Sequence, residues 1–64
     1  MDDLEQARQL FLQGVGLHNA GRFADAEARY REAAGLAPQR PSILSNLAAV
    51  LISQARFSEA VPWC

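Results

Sequence analysis

The stretches Leu10-Phe11-Leu12-Gln13-Gly14-Val15-Gly16-Leu17 and Leu44-Ser45-Asn46-Leu47-Ala48-Ala49-Val50-Leu51 decide the fold of this chain, because one repeats the other at a distance of 34 residues. Leu10 falls on Leu44, Gly14 on the equally small Ala48, and Leu17 on Leu51. Carried forward, the same shift places Phe23 on Phe57 and Ala26 on Ala60, and the pair Arg22-Phe23 returns as Arg56-Phe57. Large residues recur at large positions and small ones at small positions. What repeats is therefore packing geometry and not a catalytic motif. Such self-similarity at a fixed period marks a stacked helical array.

Within each period the pattern is helical. Leu4, Ala7, Leu10, Phe11, Gly14 and Leu17 step by three or four residues along one stripe. The spacing predicts a first helix from about Leu4 to Asn19, capped by Asp3 with Gln6 completing a capping-box pattern and Glu5 near the positive dipole end. Ala20-Gly21-Arg22 reads as a tight turn in which Gly21 takes positive φ. A second helix over about Ala24 to Leu36 offers Ala26, Tyr30, Ala33 and Ala34 to the first, and Pro38 ends it. Pro41 opens a third helix running to about Gln54. After Ala55-Arg56-Phe57, Ser58 is read as the cap of a fourth helix that has Glu59 and Pro62 in its first turn and continues to Cys64. The fold class is all-α, with antiparallel helix-turn-helix pairs in a single domain over residues 1–64: one repeat at 7–40 and a truncated second at 41–64.

Composition bounds the function. At 64 residues the chain is near the smallest size that sustains one core, burying roughly 60% of its unfolded surface. Half hydrophobic and one-fifth charged, it has the balance of a soluble globular protein. A net charge of -1 provides no large positive field, so nucleic acid and membrane are not expected partners. Met1-Asp2-Asp3 places acids where a secretion signal carries lysines, and Gln9, Gln13 and Gly14 interrupt the apolar residues that follow. Cys64 has no second cysteine to pair with, and no His/Cys cluster has metal-ligand spacing, which favours the cytosol and leaves no cofactor or metal to expect.

From Ala7 to Cys64 the pattern resembles the tetratricopeptide repeat family. In the first unit Leu10 stands where that family prefers Trp, Gln13-Gly14 where it prefers Leu-Gly, and Leu17 where it prefers Tyr, while Ala26, Tyr30, Ala33 and Pro38 match closely. In the second, Leu44, Leu47-Ala48, Leu51 and Ala60 match. The resemblance implies a right-handed α-α superhelix whose concave surface, formed mainly by the first helix of each pair, binds a peptide or helix of a partner protein. Carried over by position, Arg8, Phe11, Leu12, Val15, His18 and Asn19 line that groove from the first unit, and Ser42, Ser45, Asn46, Ala49, Ile52 and Ser53 from the second. Family members that hold a terminal carboxylate use a lysine and asparagine clamp. Here Phe11 and Val15 occupy two of the clamp positions and only Asn46 agrees, so the resemblance implies an apolar groove instead.

No residue set supports catalysis. His18, the one histidine, has no partner for general base chemistry and is expected to meet the carbonyls and negative dipole at its helix end. Asp25, Glu27 and Glu32 spread around a helix without convergent geometry for a metal. Asn46 has donor and acceptor for either a peptide backbone or solvent, Trp63 is an interface anchor or a core residue, and Cys64 lacks a neighbour to activate it. A stack of fewer than about three units is expected to be a fragment. Leu47 and Leu51 are then left uncovered by the short fourth helix, which favours a homo-oligomer through the C-terminal end. The alternatives to a peptide-binding scaffold are thus a structural or homo-oligomerising segment and a non-catalytic N-terminal targeting region of a larger enzyme.

Overall fold

The computed structural model describes residues 2–60. The expectations for Pro62, Trp63 and Cys64 lie outside these residues. Four helices follow one another: α1 (Asp3–Asn19), α2 (Phe23–Leu36), α3 (Pro41–Ser53) and α4 (Phe57–Ala60).

The start of α1 differs by one residue from the sequence reading. Asp2, in extended conformation, is the cap, and its Oδ1 accepts the Glu5 backbone N–H at 2.7 Å. Asp2 and Glu5 then stand in the capping-box spacing, and Asp3 joins Glu5 in the first turn, where the dipole favours both charges. Asp3 is better placed inside the helix than before it.

The two helix-ending turns are copies of each other. Arg22 N–H donates to Leu17 O at 2.9 Å and Gly21 N–H to His18 O at 3.0 Å, the two bonds of a Schellman closure. Thirty-four residues on, Arg56 N–H donates to Leu51 O at 2.9 Å and Ala55 N–H to Ile52 O at 2.9 Å. Each closure is followed by the same ion pair, Arg22 with Asp25 at 2.7 Å and Arg56 with Glu59 at 2.7 Å. This turn, and not a serine cap, sets where α4 begins. The chain arrives already helical at Phe57, Ala60 N–H bonds to Arg56 O at 3.2 Å, and Ser58 lies inside the helix.

One residue is mismatched to its turn. The position held by Gly21 at φ 80° in the first closure is held by Ala55 at φ 60° in the second. A side chain in this left-handed region costs about 1–2 kcal/mol, against which glycine's greater unfolded-state freedom offsets about 0.4–1 kcal/mol. Ala55→Gly is therefore expected to stabilise the chain by about 1 kcal/mol and Gly21→Ala to destabilise it by a similar amount. Thermal denaturation of the two variants should give midpoint shifts of opposite sign; shifts of the same sign would contradict the shared turn geometry.

Residue order shows how the helices run. Along α1, Ala7 joins the cluster of Ala33 and Ala34, Phe11 and Gly14 meet Tyr30, and His18 meets Phe23, so α2 descends as α1 rises. α3 returns parallel to α1, with Ile43 beside Ala7 near one end and Ser53 beside His18 at the other. The core has two apolar clusters. One gathers Ala26, Tyr30, Leu47, Ala48, Val50, Leu51 and Ala60, the other Ala7, Ala33, Ala34 and Ile43, and Phe11 packs against both. The alanines leave room for neighbouring helices to pack against one another, and no buried member of either cluster is more than 7% exposed. Leu47 and Leu51 are fully buried, contrary to the expectation that they are left uncovered. They face Tyr30 and Ala26 of α2 within the larger cluster, so their burial does not depend on α4 alone. Among the described residues no helix is long and apolar enough to cross a membrane.

Candidate functional site: the face shared by α1 and α3

Because α1 and α3 are parallel neighbours, their outward sides form one continuous face. At its N-terminal end lies an open depression of about 380 Å³, lined by Arg8, Phe11, Leu12 and Ser42 of the sequence-derived groove set together with Leu4, Arg40 and Ile43. At its C-terminal end His18 Nε2 and Ser53 Oγ are 3.2 Å apart, and Ser53 Oγ also donates to Ala49 O at 3.1 Å. The structure therefore brings together four of the twelve groove residues at one end and two at the other. Asn19, Ser45 and Ile52 are exposed without an interaction joining them to either group, Ala49 is reached only through its carbonyl by Ser53, and Asn46 Nδ2 donates to Ser42 O of its own helix at 2.7 Å.

The twelve residues are not equivalent. Leu12 and Ile52 are 56% and 48% exposed, and Leu4 beside them is 48% exposed. Phe11 and Val15 are half-buried and pack against the core, Phe11 with its ring centroid 5.9 Å from that of Tyr30. They support the floor of the face as much as they form it. His18 does not merely sit against the carbonyls of its helix end. Its ring packs edge-on to Phe23 at 5.4 Å and to Tyr30 at 6.3 Å and is tied across to α3 through Ser53. Burial pushes the neighbouring Tyr30 phenol above its ordinary range.

The tetratricopeptide repeat profile matches residues 17–63. The TPR repeat-containing thioredoxin TTL4 of Arabidopsis thaliana is 36% identical to this chain over all 64 residues, which span only 9% of that relative's length. The chain belongs to the tetratricopeptide repeat family. No solved structure matches it significantly. Tetratricopeptide domains are protein–protein interaction modules, and the described residues form packed helix pairs of the all-α kind that this family has.

The tetratricopeptide pattern alone does not disclose two features. Arg40 lines the depression although it belongs to the linker before α3, because the parallel return of α3 carries its first residues beside α1. Glu27 is no solvated surface acid. It is only 12% exposed and joins the two repeats: Gln54 Nε2 donates to its Oε1 at 2.9 Å, Arg31 Nε to its Oε2 at 2.8 Å, and the Arg56 guanidinium also binds Oε1. Asp25 and Glu32 are held by Arg22 and Arg29. Burial pushes the Glu27 carboxyl upward, but the bond from Gln54 and the guanidiniums of Arg31 and Arg56 outweigh it and hold it below the ordinary carboxylate range.

Proposed function

We propose that the α1/α3 face binds a short segment of a partner protein through its exposed apolar residues. The observation that carries this reading is the exposure of Leu4 and Leu12 at the mouth of a depression bounded by two rigid helices, with Ile52 exposed towards the far end of α3. A bulky side chain entering there recovers about 25 cal/mol for each Å² of apolar surface removed from water. Amphipathic helices and extended segments both present such side chains at intervals that suit a groove.

The test begins with sedimentation equilibrium, since the competing reading has a second copy of the chain filling the same face. A monomer leaves the face open. A random peptide library is then selected on the chain, and the enriched peptides are measured by fluorescence anisotropy. Leu12→Asp is expected to weaken them at least about tenfold with helicity unchanged, because it places an unpaired charge in an apolar contact. Unchanged binding would remove the face from consideration, and a dimer dispersed by Leu12→Asp would establish the competing reading.

A further inference from the structure

All six basic residues of the chain are arginines. Among the described residues Arg8, Arg22, Arg29, Arg31 and Arg56 each meet a carboxylate, and Arg40 meets none. Arg40 is exposed and makes no side-chain capping bond at the start of α3. Its position is also distinctive, since it lines the depression that holds Leu4, Phe11 and Leu12 and, on its other side, a second depression with Asp3 and Pro38. Across the first depression stands Arg8, paired with Glu5 only at 3.8 Å and with its side chain 70% exposed. Such a pair contributes about 0–1 kcal/mol and is readily exchanged for a better partner.

We infer that the segment bound on this face is acidic as well as apolar: it places a bulky apolar side chain against Leu4, Phe11 and Leu12, and an aspartate or glutamate one to three residues away on Arg40, with Arg8 in reach of a second carboxylate. This rests on the proposed function of the same face. The reason is electrostatic. A purely apolar occupant covers the guanidinium of Arg40 and strips its water without returning a charge, which opposes binding. A carboxylate turns that penalty into a charge-assisted and potentially bidentate hydrogen bond, a geometry that arginine's planar fork provides and a lysine does not. Within the first depression a basic segment meets Arg8 and Arg40 against Glu5, with Asp3 beyond Arg40 in the second, so it is disfavoured relative to an acidic one.

The random peptide library selected on the 64-residue chain, on Arg40→Glu and on Arg40→Lys decides it, with circular dichroism confirming that each variant is folded. The expected result is enrichment of peptides that carry Asp or Glu within three residues of Leu, Phe or Ile. Amidating that acid should weaken binding about tenfold at low salt, and raising the salt should shrink the difference. Arg40→Glu is expected to lose the acidic preference, and Arg40→Lys to keep it in weaker form. Enrichment of apolar peptides with no preference for acid, or an acidic preference that survives Arg40→Glu, overturns this inference while leaving the apolar groove standing. A folded chain that enriches no peptide overturns both.

Discussion

A Gly14→Ala chain is expected to lose about 2 kcal/mol of stability and Gly14→Val to fail to fold, although alanine is the better helix former by about 1 kcal/mol. Gly14 lies mid-helix in α1, and a Cβ added there falls 2.5 Å from Tyr30 Cε1, 2.7 Å from Cδ1 and 3.1 Å from Cζ. These atoms belong to an aromatic ring that is fully buried and held by Phe11 on one side and His18 on another, so it cannot swing aside as a flexible side chain would. Overpacking of this kind costs about 1–3 kcal/mol and occasionally more, which exceeds the gain in propensity. Urea denaturation followed by circular dichroism measures the difference. Shortening the ring in the same chain, Gly14→Ala with Tyr30→Leu, should cost less than the two changes summed. A Gly14→Ala chain more stable than the parent would show that α1 and α2 can separate without loss.

Glu27→Ala is expected to cost about 2–3 kcal/mol, the loss associated with removing a largely buried charged acceptor and leaving its donors unpaired. Three side chains converge on this carboxylate, and two of them, Gln54 and Arg56, come from the second repeat. Its removal frees Arg56 to be held by Glu59 alone. The pH dependence follows from the depressed carboxyl. A group whose folded value lies below its ordinary value of 4.5 stabilises the fold above 4.5 and ceases to do so as pH falls through the lower folded value. Glu59, lowered chiefly by its hydrogen bond from Arg56, acts in the same direction. Stability measured from pH 7 downward is therefore expected to decline below about pH 4.5, and Glu27→Gln should flatten that decline. An equally steep fall in Glu27→Gln would place the acid sensitivity elsewhere.

The repeat was legible because its signal is carried by packing residues, and packing sites recur whenever helix pairs stack. Leu10, Gly14, Leu17, Ala26 and their equivalents could be paired without knowing any contact. Local choices between adjacent candidates were less visible. Asp2 and Asp3 can each cap a helix, and only the bond from Glu5 N–H distinguishes them. Ser58 has the chemistry of a cap, yet the closure at Arg56 has already fixed the helix start. Long-range polar contacts left no trace. The residue 34 positions after Glu27 is Val61, so the shift that reveals the core passes over Glu27, and nothing in the spacing joins it to Gln54 or Arg56. Arg40 was hidden for the same reason, because its value lies in being the arginine left over when all the others have found carboxylates.

The duplicated turn has a bearing on how such a chain grows. The bonds that end the first helix, the left-handed residue that reverses the chain and the arginine that grips the acid three residues later all lie within a dozen positions and recur 34 positions on. A gene segment of that length, copied in tandem, brings along the instructions for its own bend. Duplication then needs no repair at the joint for the new block to point the right way. Alanine stands at position 55 where the first turn has glycine, and the bend keeps its hydrogen bonds all the same, so the bonds and not the residue type hold its shape.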